Sequence, residues 1–327
     1  MTDIQDRLDE YKELGLYRRM RQVSGPQGPR VVLDGKPVLL LCSNNYLGLA
    51  DHPRVRQAAA DAAMRWGVGA GASRLISGNM TIHRRLEARL ADFERREACV
   101  LFGSGYLANT GTIAALAGEG DVVLSDALNH ASIVDGCRLA RAQTFVYDHA
   151  DPEHLEWGLR EANGRGSLIV TDSVFSMDGD IAPLEEIVEL AQRYDARVMV
   201  DEAHATGCIG PGGAGAVADA GLEDEVDIRV GTLGNTPEED RAMFEELGLN
   251  TARQADNGSN PRPDNRSGWL EGEAPRTPID RAIDDGEGRL WDPASQLRHR
   301  RKSSVPPRPD GALNTFPEVV QVAGWGD

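Results

Sequence analysis

The chain has 327 residues, of which 40% are hydrophobic, and its formal net charge is −17 at pH 7. This length accommodates one large domain with an appendage, or two domains, around a sizeable buried core. The negative charge argues against general binding to nucleic acid or to an anionic membrane, because both are themselves negatively charged. A small-molecule partner matches this composition better.

The cysteines and the first residues bear on metal binding and on cellular location. The four cysteines are far apart and include no CxxC pair, so the sequence predicts neither a zinc site nor a disulfide framework, and no metal is expected. The acidic N-terminus lacks the basic and apolar regions of a signal peptide. No apolar stretch approaches the length of a membrane span. A cytoplasmic location is therefore expected.

Short apolar runs alternate with helix-like segments between Val38 and Gly234. This alternation predicts an α/β fold with a mostly parallel central sheet that is covered by helices on both faces. The strand-like runs include residues 98–102, 122–124, 167–170 and 197–200, and the helix-like segments include residues 81–94 and 183–194.

The pattern fades after Asn235, and this change suggests a division of the chain. Ten of the 17 prolines lie beyond Asn235, among many charged residues and few apolar clusters, so this part is poorly suited to building a core. One short helix over residues 238–247 is predicted there, because Thr236 and Pro237 favour a helix start. The predicted divisions are an N-terminal arm (1–40), a large domain that is incomplete at its C-terminus (41–234) and an atypical tail (235–327).

Ligands of such sheets bind in the crevice at the carboxyl ends of the strands, and polar clusters follow four of the predicted strands. The first cluster, residues 103–109, is rich in glycine and leads into an apolar helix. Exposed amides at a helix start and the helix dipole suit a phosphate group. Glycine-rich turns between strands and helices are also common without any ligand, so this segment alone leaves both interpretations open.

Two further clusters contain titratable side chains with two interpretations each. His130 either stacks on a flat ligand or caps the helix that follows it. Asp201 ends an apolar run, and a carboxylate at the mouth of a buried strand needs a partner. That partner is either a protonated ring nitrogen of a ligand or a nearby arginine. The remaining cluster, residues 171–180, has more hydroxyl and carboxylate groups than a simple turn requires.

Seven motifs in order make the chain resemble the pyridoxal-phosphate-dependent α-oxoamine synthases, over about residues 1–234. Within this family the chain looks most similar to the 8-amino-7-oxononanoate synthases of biotin biosynthesis, which condense L-alanine with pimeloyl-CoA or pimeloyl-carrier protein. Enzymes of the glycine C-acetyltransferase type are the alternative. The motifs are SNNYLGL (43–49), GAGASR (69–74), GSGYLAN (103–109), NHAS (129–132), VFSMDGD (174–180), DEAHATG (201–207) and GTLG (231–234).

The resemblance implies a fold-type I large domain, a homodimer, and roles for residues around pyridoxal 5'-phosphate. Asp201 would keep the pyridine nitrogen protonated, so that the ring acts as an electron sink. His130 would stack on the ring, and His204 and Ser176 would lie near its phenolic oxygen. The phosphate would be bound by the amides of Gly105 and Tyr106 and by the hydroxyl of Thr232.

The same resemblance implies a place for the two substrates, an amino acid and an acyl thioester. Asn44 would lie close to the reacting groups. Arg18 occupies the position at which the oxononanoate synthases have an arginine that can meet the distal carboxylate of a pimeloyl chain. A solvated helix face explains Arg18 equally well.

The chain departs from the family at Asn235, where a catalytic lysine is required. An amide nitrogen is not a usable nucleophile or base, and loss of general acid–base catalysis typically costs about 10²–10⁴ in rate. The other lysines do not provide an obvious replacement, since Lys12 and Lys36 precede the motifs and Lys302 lies in the tail. Any bound pyridoxal phosphate is therefore expected to be held non-covalently.

Three functional interpretations follow from the sequence. The chain is an acyltransferase, a non-catalytic pyridoxal-phosphate-binding subunit, or a truncated fragment whose sheet lacks strands and has an open edge. Because the change at residue 235 is abrupt, we hypothesise that a frameshift or recombination joined the N-terminal part of a synthase to unrelated sequence. The coding DNA tests this hypothesis, which requires the family pattern to continue in a shifted frame or neighbouring segment after the Gly234 codon.

Overall fold

The structure is a computed structural model that describes residues 3–233 and the backbone of one further strand, residues 319–323. Asn235, the predicted helix 238–247 and Lys302 lie outside the described residues. In the part of the chain that is described, no helix is both long enough and apolar enough to cross a bilayer.

A seven-stranded parallel sheet forms the centre of the fold, in the order β4-β10-β9-β8-β7-β5-β6. This finding confirms the predicted α/β class. A separate antiparallel sheet, β1-β2-β3, lies in the N-terminal arm. The strands are β1 Val23–Ser24, β2 Arg30–Leu33, β3 Lys36–Leu39, β4 Ala98–Phe102, β5 Val122–Asp126, β6 Gln143–Tyr147, β7 Ser167–Asp172, β8 Arg197–Asp201, β9 Ile228–Thr232 and β10 Val319–Ala323.

Helices connect the parallel strands, and local sequence signals mark their ends. Asp151 caps α6, Pro152 is its first residue, and the helix stops at Asn163, which adopts the left-handed conformation. The observed α3 and α7 agree with the two predicted helices to within one residue. The α-helices are α1 Ile4–Glu13, α2 Pro53–Trp66, α3 Thr81–Phe93, α4 Gly105–Leu116, α5 Ala131–Ala140, α6 Pro152–Ala162, α7 Leu184–Tyr194 and α8 Ala216–Asp219, with a π-helical turn at Arg74–Gly78 and 3-10 turns at Leu49–Asp51 and Pro211–Gly213.

The core has two layers, one on each face of the large sheet, because alternate residues of a strand point to opposite faces. Val123, Val170 and Met199 belong to the layer that α4 and α5 cover. Leu124 and Ile169 belong to the other layer, which α6 and α7 cover. Both faces being buried explains why these strands are continuous apolar runs without alternation.

Strand β10 comes from the tail and lies between β4 and β9. Its backbone is parallel to both neighbours, with Ala323 in register with Phe102 and with Thr232. A strand from the tail thus fills the gap between β4 and β9 in the large sheet. The sequence pattern did not reveal this strand because its apolar residues are interrupted by Gln321 and lie in a proline-rich context.

Candidate active site

The carboxyl ends of the parallel strands bring the predicted polar clusters to one edge of the sheet. Asp172, at the end of β7, is in register with Asp201, at the end of β8, and Asp201 is in register with Val230 of β9. The segments that follow these strands therefore start side by side, as the sequence predicted. This edge is the candidate site.

Asp201 is the most deeply placed of the predicted site residues, with 7% of its surface exposed. The Nδ2 group of Asn109 donates to its Oδ2 at 2.6 Å, and the N–H of Ala203 donates to its Oδ1 at 2.9 Å. Burial raises the pKa of Asp201, while these donors and the His130 and His204 rings oppose that rise. No lysine or arginine among the described residues forms an ion pair with it, so the arginine interpretation has no support there.

Asn109 holds Asp201 in place, and the sequence analysis assigned it no role. It lies on α4, is 1% exposed, and its Nδ2 also donates to Oγ of Ser132 at 2.9 Å. Its Oδ1 is buried without a hydrogen-bond partner. The available signal was its position as the last residue of the GSGYLAN motif, one turn inside the helix that follows the glycines.

His130 is the N-cap of α5, which matches the simpler of its two interpretations. The N–H of Ser132 donates to Nδ1 of His130 at 3.3 Å, and the Ser132 hydroxyl lies 2.7 Å from the same nitrogen. The residue is nevertheless exposed, and its ring is close enough to Asp201 to favour the ionised carboxylate. Capping and contact with a ligand are therefore compatible, and stacking on a cofactor ring stays a prediction.

His204 connects this edge with the N-terminal part of the chain. Its Nδ1 lies 2.7 Å from Oη of Tyr46, which belongs to the SNNYLGL motif. Burial lowers the pKa of His204, and the Asp201 carboxylate opposes this effect. The ring is therefore neutral at physiological pH, and the Tyr46 hydroxyl orients it. Tyr46 was not among the predicted site residues, although its motif was one of the seven.

The start of α4 and the end of β9 form the second part of the site. Gly105 is the first residue of α4, and the Ser104 hydroxyl caps the helix by accepting from the N–H of Leu107 at 3.2 Å. The N–H groups of Gly105 and Tyr106 precede the first intrahelical bonds and point toward the helix start. At the end of β9, Oγ1 of Thr232 is buried and has no hydrogen-bond partner among the described residues.

Three predicted site residues are exposed, and the described contacts do not connect them to Asp201. Arg18 follows α1, Asn44 follows β3, and Ser176 lies in the loop after β7. Their assignments therefore depend on the motifs alone.

His149 anchors the loop that contains Ser176, and the sequence analysis missed it. Its Nδ1 lies 2.9 Å from Asp126 and its Nε2 lies 2.7 Å from Asp180. Its ring lies nearly perpendicular to that of Phe175, with 4.4 Å between the ring centroids. Burial opposes protonation of His149, but the two carboxylates outweigh it and raise its pKa. His149 thus connects the loop to β5 through its two ring nitrogens, and no sequence pattern distinguished it from an ordinary surface histidine.

The arrangement has two chemically distinct ends. One end offers helix N–H groups and a hydroxyl, which suit an anion such as phosphate. The other end offers a buried carboxylate that is held by amide donors and needs a cationic N–H donor to balance its charge. The site therefore suits a small molecule that carries an anionic group and a protonated nitrogen.

Comparison with known proteins identifies similar chains. The family model described as "Aminotransferase class I and II" matches residues 36–236, which is close to where the resemblance in sequence ends. An 8-amino-7-oxononanoate synthase of Thermoanaerobacter pseudethanolicus is 53% identical over 232 residues, covering 70% of this chain and 59% of that protein. The Geobacter sulfurreducens protein of the same name is 55% identical over 228 residues, covering 69% and 58%. The chain thus spans about three fifths of the length of these curated relatives.

Solved structures agree with these matches. A serine palmitoyltransferase of Sphingomonas wittichii has a TM-score of 0.67 and 36% identity, covering 71% of this chain and 60% of that one. A high-resolution serine palmitoyltransferase structure with PLP has a TM-score of 0.65 and 36% identity, covering 70% and 58%. An 8-amino-7-oxononanoate synthase of Francisella tularensis, with 24% identity, a TM-score of 0.51 and coverage of 62% and 59%, supports the fold alone. The resemblance predicted from the motifs is confirmed.

Proposed function

Because the chain belongs to the aminotransferase class I and II family, we propose that it binds pyridoxal 5'-phosphate non-covalently at the carboxyl edge of its sheet. The observation that carries this proposal is Asp201, a buried carboxylate without a cationic partner among the described residues. A protonated pyridine nitrogen supplies both the missing charge and the missing donor.

The residues at the site fit the cofactor at both of its ends. The N–H groups of Gly105 and Tyr106, at the start of α4, and the unpartnered Oγ1 of Thr232 suit its phosphate. The exposed His130 ring is available to stack on the pyridine ring. These assignments agree with the roles that the family resemblance implies.

We propose that this lineage performs the reaction of an 8-amino-7-oxononanoate synthase. In that reaction an amino acid, L-alanine, condenses with a pimeloyl thioester, and carbon dioxide and the free thiol of the acyl carrier are released. When bound, pyridoxal phosphate supplies an electron sink for this chemistry. Asp201 would keep a proton on the ring nitrogen, and His204, oriented by Tyr46, would present a neutral imidazole near the phenolic oxygen. Ser176 is assigned to the phenolic oxygen of the cofactor.

Substrate recognition is assigned to two exposed residues. Asn44 adjoins the reacting groups, and Arg18 meets the distal carboxylate of the pimeloyl chain. Alanine with pimeloyl-CoA and glycine with acetyl-CoA are the two substrate pairs to compare. Turnover of glycine with acetyl-CoA alone would instead identify an enzyme of the glycine C-acetyltransferase type.

Asn235 favours a second function, that of a cofactor-binding subunit with little turnover. An amide nitrogen neither forms a covalent bond with the cofactor aldehyde nor moves a proton, so the rate is expected to fall by at least about 10²–10⁴. The other motifs that the resemblance assigns to the cofactor are present in the sequence. The chain therefore retains the capacity to bind the cofactor and lacks the group that a turnover requires.

We also propose that the chain forms a homodimer through its N-terminal third. Helix α2 buries none of its residues, and Met64 on this helix is 88% exposed. Nearby apolar side chains are exposed to a similar extent, with Leu41 at 88%, Val68 at 95% and Leu75 at 85%. Exposed apolar groups in such number indicate a contact surface, and a second copy of the chain is the commonest partner. Sedimentation of the purified protein tests this proposal, and a monomer at micromolar concentration would contradict it.

The cofactor proposal is tested by titrating the purified full chain with pyridoxal phosphate and following its absorbance. Saturable binding is expected, together with a loss of affinity of more than about tenfold in Asp201→Asn, since a charge pair is removed. Asp227→Asn is the matched control, because Asp227 also accepts a backbone hydrogen bond, from the N–H of Val198, but immediately precedes β9, away from the carboxyl edge. Equal affinities for wild type and Asp201→Asn would refute the proposed site.

Reduction with borohydride followed by mass mapping tests the role assigned to residue 235. Wild type is expected to retain no cofactor after reduction, whereas Asn235→Lys should retain it at the new lysine. Asn250→Lys, which places the same side chain elsewhere in the tail, serves as the control. Cofactor reduced onto Lys302 of the wild type would contradict non-covalent binding and would favour an active enzyme.

A further inference from the structure

Asp172 and Asp201 form an adjacent pair of buried carboxyl groups at the end of the sheet. The two residues are cross-strand partners in β7 and β8, so their side chains lie on the same face of the sheet. Asp172 is 4% exposed and Asp201 is 7% exposed. The proposed function uses Asp201 and leaves Asp172 without a role.

The contacts of the two carboxyl groups differ. Asp201 accepts from Asn109 and from the N–H of Ala203, one donor to each oxygen. Asp172 accepts from the backbone N–H of His130, and its Oδ1 is buried without a partner. Asp201 is therefore the better stabilised of the two as an anion.

The groups that face Asp172 from the neighbouring elements add no compensating positive charge. Asp126 of β5 and Asp201 of β8 both raise its pKa, and the Tyr147 hydroxyl of β6 is neutral. No lysine or arginine among the described residues forms an ion pair with Asp172. The nearby His130 and His204 rings act on Asp201.

Two carboxylates that share a buried site cannot both be ionised without a large cost, so one proton is retained by the pair. Burial, and then the charge of Asp201, raise the pKa of Asp172 to about 8. Asp201 accepts hydrogen bonds at both of its oxygens, whereas Oδ1 of Asp172 has no donor. The proton of the pair is therefore on Asp172.

We propose that Asp172 is a positioning residue that carries a proton at neutral pH, so that Asp201 is the single ionised carboxylate of the pair. The protonated state itself depends only on the fold. Its effect on the cofactor, namely that the ring nitrogen meets one negative charge and not two, rests on the proposed function.

Infrared spectroscopy of the full chain without added cofactor tests the protonated state directly. A carbonyl-stretch band of a protonated carboxyl group is expected at pH 7, shifted by deuterium oxide and by labelling with ¹³C-aspartate, and lost above about pH 9. The label separates this band from that of Glu202, whose pKa burial also raises. Absence of a label-sensitive band in the wild type would overturn the proposal without any variant being needed.

Asp172→Asn and Glu202→Gln assign the band. The label-sensitive band should disappear in Asp172→Asn and persist in Glu202→Gln. Its persistence in Asp172→Asn would place the proton on Asp201 and overturn the proposal.

Cofactor titration distinguishes a failure of this inference from a failure of the proposed function. Asn is a neutral isostere of protonated aspartate. Asp172→Asn should therefore bind pyridoxal phosphate at pH 7 with an affinity within about threefold of wild type. This is less than the tenfold change in affinity that corresponds to one pKa unit. Weakening of more than about tenfold would mean that a negative charge was removed, and would overturn the inference while leaving the cofactor proposal intact. If the wild type does not bind the cofactor, the proposed function fails, and the infrared result still decides the state of Asp172.

Discussion

Replacing Asn109 by leucine removes a buried donor from the carboxylate on which the proposed site depends. The Nδ2 group of Asn109 makes one hydrogen bond to charged Asp201, at 2.6 Å, and one to neutral Ser132, at 2.9 Å. Such bonds contribute about 1.5–3 and about 0.5–1.5 kcal/mol, respectively. Asn109→Leu is therefore expected to lower the free energy of unfolding by about 2–4.5 kcal/mol at about pH 8.

The loss should depend on pH in a defined direction. Asn109 lowers the pKa of Asp201 against the burial that raises it, so that pKa is higher in the variant. The folded variant then binds a proton over a pH range in which folded wild type does not, and its relative stability falls as pH rises through that range. The deficit should consequently be smaller at about pH 5 than at about pH 8.

Urea unfolding followed by circular dichroism at both pH values measures this effect. Thr112→Val is the matched control, since Thr112 lies on the same helix, is 1% exposed, and donates to the neutral carbonyl of Ala108 at 2.6 Å. It should lose about 1 kcal/mol at either pH. A loss below about 1 kcal/mol for Asn109→Leu, or one that does not change with pH, would refute the reasoning.

Other substitutions test the phosphate end and the buried charges. Thr232→Val should weaken pyridoxal phosphate binding by about fivefold or more in a titration. Stability in urea should change little, because Oγ1 of Thr232 has no hydrogen-bond partner to lose. Unchanged affinity would show that Thr232 does not belong to the site. Arg229 lies 2.8 Å from Glu94 and 3.9 Å from Glu202, all three almost fully buried, so Arg229→Met should cost about 3–5 kcal/mol in urea unfolding at about pH 8. A cost below about 1 kcal/mol would contradict this ion pair. Burial, and then the Glu94 charge, raise the pKa of Glu202 to about 8. Between the pKa of Glu202 in the unfolded chain, about 4.3, and its pKa in the folded chain, about 8, the folded wild type binds one proton more than the unfolded chain. The free energy of unfolding of the wild type therefore falls as pH rises through this range. Glu202→Gln should reduce this fall, as measured by unfolding across the same range.

The sequence predicted the architecture because parallel strands buried on both faces must be apolar throughout. The runs around Leu124 and Met199 identified strands, and the cap at His130 agrees with the start of α5. Polar residues after those runs lie at one edge because parallel strands all end there. The general location of the site therefore followed from local pattern and topology.

Two features depended on contacts between residues far apart in the chain. Asn109 reaches Asp201 across 92 positions, and Tyr46 reaches His204 across 158. Local sequence contains no signal for either pair, because hydrogen-bond partners are selected by packing. The same limitation applies to His149, which appeared ordinary until Asp126 and Asp180 were found on either side of it.

The sequence by itself determined which side chains follow the strands and that an asparagine, whose amide is not a nucleophile, occupies position 235. Tertiary structure decided how those side chains interact. Strand register places Asp172 beside Asp201, and both side chains are buried. Ionising both carboxyl groups would therefore cost a large amount of free energy. Proton affinity depends on the distance between charges and on their access to water, and both quantities exist only once the chain has folded.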